Sequence, residues 1–502
     1  MSKISGFPHP FFSSKPNWKW FILTTVLVGA TMSALDVSIV NIGMPTMSND
    51  FNVSTSLIEW VAMAYMLTLT VFLPFFGRLA DMLGRTRLYT TGFVVFTVGS
   101  FFCGMAPTAN FLIGARVLQA VGAGMLQANS VAIITASFPS SERGKAIGIQ
   151  GAVQAISMSI GPLIGGILIA AIGWRAIFYV NLPIGLIGVT AALLVLPKSE
   201  KSEKKEKVDY FGTMTFVVGL ASLVLGVNQM SSSGIGSMNV IAYFVIAVVF
   251  LSIFTITELK VRSPLIDFKL FKNGLFTLGN VTGMLSYYVL FAVLFLMPFF
   301  MEKVLNFSPA AAGFLLTPVP LAMAIVAPFA GNISDKYGSR IMTSSGMVVA
   351  SVSCLGMLFL GTSTAIWLLI IELVLLGVGM GMFTPPNNSA IMGAAPREKL
   401  GVAGGILNMT RSLGSIFGVG ISGLVFTSLE HSYITGKGYA DVTHVFSGNS
   451  IPADVRDSAF MHGFEIAVAI LLGITIVSAV LSITKKEGEA LDSEAVKEFE
   501  GI

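Results

Sequence analysis

The sequence predicts an all-α polytopic membrane protein, built as two six-helix bundles plus two inserted helices, with fourteen transmembrane helices in all. Three observations carry that prediction. Of 502 residues, 54% are hydrophobic and only 11% are charged, whereas soluble domains carry about 25% charged residues. Apolar windows of about 20 residues, enough to cross a bilayer, recur along the whole chain. The first six windows also resemble the last six at a nearly constant offset.

The windows fall at 18–44, 56–76, 88–106, 109–132, 144–170, 175–196, 210–229, 238–258, 277–300, 309–331, 341–361, 364–391, 400–426 and 463–483. The first is too long for a signal-peptide core and lacks a small-residue cleavage site, so it is expected to stay as a span. An even count puts both termini on one side. Of the 30 Lys and Arg, 24 lie in the N-terminus, the even-numbered loops and the C-terminus. Only Arg175, Lys303, Lys437 and Arg456 lie in the opposite loops, and Arg116 and Arg411 fall within spans. This asymmetry predicts cytoplasmic termini.

The chain therefore divides into a cytoplasmic tail (1–17), an N-terminal bundle (18–196), and a linker with inserted spans seven and eight (197–275). A C-terminal bundle (276–484) and a cytoplasmic tail (485–502) follow. The lysine-rich run 198–207 reads as a topology anchor, with an anionic-lipid patch as the alternative. A polar external loop is expected at 427–462, with a short helix near Pro452–Met461.

The repeat is specific. Gly77-Arg78-Leu79-Ala80-Asp81 returns 254 residues later as Gly331-Asn332-Ile333-Ser334-Asp335, and Gly84 and Arg85 are echoed by Gly338 and Arg340. Gly122, Gly124, Gly148, Gly161 and Gly166 recur 257 residues on. Two halves with parallel repeats, and a solute site between them near the midplane, form a secondary-transporter architecture. Glycines at 77 and 84 allow a tight turn and close helix approach, and Asp81 can accept from Arg85 or from a neighbouring helix N-terminus. The recurrence favours a conformational latch at Gly77, Asp81, Gly84, Arg85, Asp335 and Arg340 over a plain basic loop.

Charges inside spans are costly and mark functional candidates. Asp36 is the one carboxylate in the otherwise uncharged stretch 21–47, and Arg116 shares a helical face with Gln119 in span four. Span five carries Gly161, Pro162, Gly165 and Gly166; small residues on one face permit close packing, and the proline can kink the helix.

Together these strings resemble the fourteen-span drug:proton antiporter family of the major facilitator superfamily. The resemblance covers nearly the whole chain. It rests on Gly77–Arg87, the Leu-Asp-x-x-Ile-Val-Asn-x-x-x-Pro string at 35–45, the Gly-Pro-x-x-Gly-Gly antiporter motif at 161–166, and Trp-Arg-x-x-Phe-x-x-Asn-x-Pro-x-Gly at 174–185. It implies a proton-coupled antiporter of the prokaryotic cytoplasmic membrane. Such a protein exports lipophilic, cationic or zwitterionic drugs or metabolites by alternating access, with the proton gradient as its energy source and no cofactor. The functional unit implied is a monomer whose partners are protons, small molecules and lipid. In one respect the chain departs from the family. Where members that export dications can carry an acid after the tryptophan matching Trp60, this chain has Val61-Ala62-Met63-Ala64-Tyr65, so a dicationic substrate is not expected.

In that fold, spans one, four, nine and twelve line the central cavity. Counting about 1.5 Å per residue, Asp36, Arg116 and Glu372 share one level, roughly 10–13 Å below the outer surface. Asp36 and Arg116 are accordingly expected to couple protons: a dry cavity raises an acid's pKa and a nearby arginine lowers it. A static buried pair is the alternative. Glu372 is expected to meet a cationic substrate or a second proton, together with Asn41, Gln119, Tyr65, Phe291 and Phe383; pairing with Arg411 is its alternative. Arg411, whose repeat counterpart is Gln154, is read as a structural charge. A dedicated exporter of one endogenous metabolite, lipid or peptide is the second function. An enzyme or a scaffold is disfavoured, because no metal cluster, Ser/His/Asp set, nucleotide loop or folded soluble domain is visible. Cys103 and Cys354 read as packed small hydrophobes, and no metal or nucleic acid is expected.

Overall fold

A computed structural model describes residues 17–53, 55–197, 209–261, 264–361, 364–439 and 452–484. The lysine run 198–207, the tail 485–502 and nearly all of the tail 1–17 lie outside the described residues. The first half comprises α1 (Trp18–Phe51), α2 (Thr55–Leu83), α3 (Arg85–Gly104), α4 (Ala109–Ser137), α5 (Ser140–Ile172) and α6 (Asn181–Val195). The inserted pair is α7 (Tyr210–Ser233) and α8 (Met238–Glu258). The second half comprises α9 (Gly274–Phe299), α10 (Pro318–Tyr337), α11 (Ser339–Met357), α12 (Ile366–Gly393), α13 (Leu400–Gly436) and α14 (Ala453–Ile483).

Among the described residues, thirteen helical stretches are long and apolar enough to cross a membrane. The remaining helix, α3, has 20 residues but opens on Arg85 and Arg87 and carries four threonines. Thr90, Thr91 and Thr97 donate to carbonyls one turn back, at Thr86, Arg87 and Phe93. Their hydroxyls are thereby satisfied inside the helix, which makes them compatible with a dry environment.

Two spans differ from the apolar windows. The expected span 309–331 is broken into a short helix, Pro309–Leu315, followed by α10. Pro318 and Pro320 lack the N–H groups that would continue the ladder across Leu316 and Thr317. Both ends of the expected external loop 427–462 are helix, since α13 runs to Gly436 and α14 starts at Ala453, while 440–451 lie outside the described residues. The stretch predicted as a separate short helix is the first turns of α14. These ends pack against each other, Phe426 meeting Phe460 at 4.9 Å between ring centroids and Ile434 clustering with Ala459. Hydropathy counts only residues suited to hydrocarbon, so it misses helix that continues beyond the bilayer.

The halves meet unevenly. At the end carrying most Lys and Arg, one core includes Phe76, Ala146 and Ile147 from the first half and Ile391, Val402 and Ile406 from the second. At the opposite end each half keeps its own core, around Trp174, Ile177 and Phe178 in one and Phe300, Phe426 and Phe464 in the other. Lipid supplies no hydrophobic drive between helices, so their association depends on close packing at small residues. A Cβ on Gly77 would strike the Gly401 carbonyl, one on Gly405 would lie 2.7 Å from the Leu73 carbonyl, and one on Gly148 would lie 2.5 Å from the Ala327 carbonyl. α2 thus seats on α13, and α5 on α10. The inserted α7 packs against its partner α8 and against both α2 and α13, so the extra pair sits across the junction rather than on one half.

Candidate functional site

Three polar regions hold the candidate residues. At the basic end, Asp81 closes α2 and accepts from the backbone N–H groups of Gly401 and Val402, both at 2.9 Å. These are orphan donors of the first turn of α13, where the helix dipole favours negative charge. Arg85 donates to Asp81 at 3.0 Å and to the Arg397 carbonyl at 2.6 Å. The repeat reproduces the device: Asp335 on α10 accepts from Gly144 and Lys145 at the start of α5, at 2.8 and 3.0 Å. Gly84 and Gly338 turn the chain at φ +98° and +87°, the left-handed region that glycine enters without steric cost. Arg340 lies in the first turn of α11. The residues read from sequence as a latch therefore sit at two equivalent junctions between the halves. Beside one of them, Asp267 is paired with Lys399. Burial pushes the Asp267 carboxyl up, but the Lys399 ammonium and the Lys269 N–H outweigh it and hold the group below its ordinary value.

The second region lies wholly within the first half. Asp36 and Arg116 are buried and form an ion pair at 2.6 Å. Asp36 also accepts from Gln119 at 2.8 Å and from Asn181 at 3.2 Å. Arg116 donates to Gln119 Oε1 at 2.7 Å and to the Val61 carbonyl at 3.0 Å, and its guanidinium lies 4.1 Å from the Tyr65 ring centroid. Gln119 in turn donates to Ser100 at 2.8 Å. Four helices, α1, α3, α4 and α6, thus tie their side chains into one network, with α2 adding a carbonyl and a ring. A buried charge is tolerated on these terms, paired and with its remaining hydrogen-bonding groups met.

The antiporter-motif glycines bear on this network. Gly161 faces Ser38 and Gly165 faces Ile39 on α1, two and three residues past Asp36, with no room for a Cβ. Gly166 faces open space, and Pro162 is exposed within a continuous α5.

The third region is a small cavity between the halves, with about 20 Å³ of free space. Its polar lining is Gln150 and Gln154 from α5, Thr384 and Asn388 from α12, and Asn408 and Arg411 from α13. No Asp or Glu lines it. Gln150 Oε1, Thr384 Oγ1 and Arg411 Nε are buried without a hydrogen-bond partner. Arg411 stacks on Tyr287 at 4.3 Å, and Tyr287 stacks on Phe291 at 6.2 Å between centroids.

Several expectations are corrected here. Glu372 does not join Asp36 and Arg116. It is buried against α11, where a Cβ on Gly356 would lie 2.5 Å from its Oε2, and the Ser353 hydroxyl donates to its backbone carbonyl. Nor does it pair with Arg411, which forms no ion pair among the described residues. The repeat shows why: 254 and 257 residues after Asp36 stand Leu290 and Val293, so the second half offers no matching charge. Arg411 is a cavity-lining group rather than a structural charge. Phe383 belongs to the core of the second half, and Asn41 is exposed on α1. Gln119 and Tyr65 belong to the Asp36 network rather than to the cavity. Sequence reasoning missed Ser100, Asn181, Gln150, Thr384, Asn388 and Asn408. For Asn181 the signal was its place in the 174–185 string; for the others it was an amide or hydroxyl in an apolar run.

Two repeated six-helix halves, latched at one end around a polar cavity, define a secondary transporter. The chain belongs to the Major Facilitator Superfamily, whose family model matches residues 26–419. It is a multi-pass bacterial membrane transporter, not an enzyme. It is 40% identical to the riboflavin transporter RibZ of Clostridioides difficile over 80% of this chain and 86% of that protein. It is 32% identical to the multidrug resistance protein Stp of Mycobacterium tuberculosis over 80% of this chain and 74% of that one. With the multidrug transporter protein MdtP of Bacillus subtilis the identity is 30%, over 84% and 78% of the two chains. The human organic anion transporter MFSD10 superposes with a TM-score of 0.65 at 11% identity, covering 93% of this chain and all of that one; the likeness is one of fold.

Proposed function

We propose that this protein is a proton-coupled antiporter that exports an organic solute by alternating access. In this reading Asp36 and Arg116 form the proton-coupling site, and the cavity at Arg411 holds the solute. The buried Asp36–Arg116 ion pair carries the reading. It lies two residues from the α1–α5 contact at Gly161, and α5 also seats on α10 of the other half. Rearrangement of α5 at that junction therefore bears directly on the pair, and breaking or desolvating it changes the proton affinity of Asp36. The asymmetric core supports a state closed at the basic end, and the Lys/Arg distribution supports reading that end as cytoplasmic.

A dedicated metabolite exporter is favoured over a cationic-drug exporter by two observations. The cavity carries a guanidinium and no carboxylate, and the relative at 40% identity bears the name of a riboflavin transporter. Proteoliposomes with an imposed pH gradient test the proposal. Riboflavin is expected to dissipate the gradient in a protein-dependent way, and ethidium is not. If ethidium alone does so, the drug exporter replaces the metabolite exporter; if no solute in a broad screen moves protons, coupling is refuted.

A further inference from the structure

We infer that the Asn181 side-chain amide turns with the protonation state of Asp36, donating to the carboxylate and accepting from the carboxylic acid. This rests on the proton-coupling reading and adds to it a positioning residue that acts through Asp36. Asn181 opens α6 and is fully buried. Its Nδ2 donates to Asp36 Oδ1 at 3.2 Å, while its Oδ1 has no hydrogen-bond partner. The other amide on Asp36 is held differently. Gln119 Nε2 donates to Asp36 Oδ1 and to Ser100, both at 2.8 Å, and its Oε1 accepts from Arg116 at 2.7 Å and from Cys103 Sγ at 3.5 Å. Turning Gln119 would break bonds at both ends, so it is a fixed donor. Turning Asn181 exchanges one free end for the other and breaks only the bond to Asp36.

Asp36 needs such a group. As a carboxylate it only accepts; once protonated it carries one O–H that must donate. Around it stand Arg116 and Gln119 from α4 and Asn181 from α6, with Tyr65 from α2 and Cys103 from α3 close by. α6 and residues 150–172 of α5 contain no charged residue. A proton that lands on Asp36 Oδ1 leaves that oxygen able to accept from Gln119 and leaves Oδ2 on Arg116. The new O–H finds its acceptor in Asn181 Oδ1, brought round by half a turn about a torsion that is broad and two-fold. Tyr65 Oη is also unmatched, but the tyrosine meets Arg116 through its ring, and no bond ties it to Asp36 among the described residues. The two states depend on the amide unequally. The carboxylate has three donors, of which Asn181 is the most distant, whereas the acid relies on Asn181 for its acceptor. A buried donor left unmatched costs more than the loss of one bond among several, so removing the amide penalises mainly the protonated state.

Infrared titration of the purified full-length protein in lipid nanodiscs tests this without any solute. The carbonyl stretch of protonated Asp36 is the band present in wild type and absent in Asp36→Asn. In Asn181→Leu that band is expected to appear only at a pH about one unit lower, a tenfold change in proton concentration. It is also expected at higher wavenumber, because its O–H no longer donates. Asn181→Ser, whose hydroxyl accepts, should restore part of both. In wild type isotope-labelled at asparagine, an amide carbonyl should shift to lower wavenumber in step with Asp36, a reading that needs no variant at position 181. An amide that does not move with Asp36, or an Asp36 band in Asn181→Leu with the wild-type position and midpoint, overturns the inference and leaves the coupling reading standing. A wild-type band that appears at no pH at which the protein stays folded overturns both.

Discussion

Asp36 and Arg411 are each a charge sunk among apolar helices, yet the chain surrounds them in opposite ways. Asp36 accepts from Arg116, Gln119 and Asn181, and its partners are bonded in turn to Ser100 and the Val61 carbonyl. Arg411 has no counter-ion among the described residues, an unmatched Nε and neighbours that are themselves unmatched. The charged pair of the first site is balanced within one half, although Asn181 Oδ1 and Tyr65 Oη beside it are unmatched; in the second the charge itself is unbalanced and the lining is shared between halves. Satisfied polar groups hold a structure in place, and unsatisfied ones wait for a ligand or a conformational change. On the antiport reading proposed above, the contrast puts proton coupling and solute binding in two places.

The largest effect should come from breaking the balanced site. Arg116→Ala leaves Asp36 buried without its counter-ion, a loss of about 3–5 kcal/mol in comparable pairs; thermal unfolding in detergent should fall sharply. Arg411→Gln should do the reverse, holding or raising the unfolding temperature, since it removes a charge that nothing balances. A matching drop in both variants would erase the contrast.

Next comes the junction between the halves at the basic end. Asp335→Asn weakens two charge-assisted bonds to the second turn of α5, each worth about 1.5–3 kcal/mol when the acceptor is ionised. Cysteines placed near Gly148 and Ala327 should become more reactive to a water-soluble thiol reagent. A smaller effect is expected from Glu372→Gln, which loses no ion pair and keeps the shape of the side chain. Its solute affinity should equal that of wild type, and a tenfold loss would return Glu372 to the binding site. The smallest is at Asp267. Because its folded value is lowered, the Lys399 pair stabilises at neutral pH and is lost only as pH falls below the ordinary carboxylate range. Asp267→Asn should therefore lose that small increment at neutral pH, leave strongly acid pH nearly untouched, and so flatten the acid limb of the unfolding-versus-pH curve.

Much of this was legible in the sequence, for identifiable reasons. The glycine and aspartate repeats located both junctions between the halves, because close backbone approach and hydrogen bonding to helix N–H groups each demand particular residues. Asp36 and Arg116 could be paired by depth, since residue counting gives height along a span. Height was insufficient for Glu372. About 3.6 residues complete a turn, so each residue rotates the side chain by about 100°. A residue at the right level can therefore face a neighbouring helix instead of the cavity, as Glu372 does toward Gly356. Arg411 was misread for the complementary reason. Its role depends on which polar groups from α5 and α12 it meets, and pairings between distant helices leave no periodicity to read.

The division of labour itself is tested most directly with Asp36→Asn in proteoliposomes, comparing riboflavin counterflow with pH-gradient-driven uptake. The account predicts that counterflow persists, since the Arg411 cavity is intact, while uphill uptake is lost. Gradient-driven uptake at the wild-type rate in Asp36→Asn would contradict it.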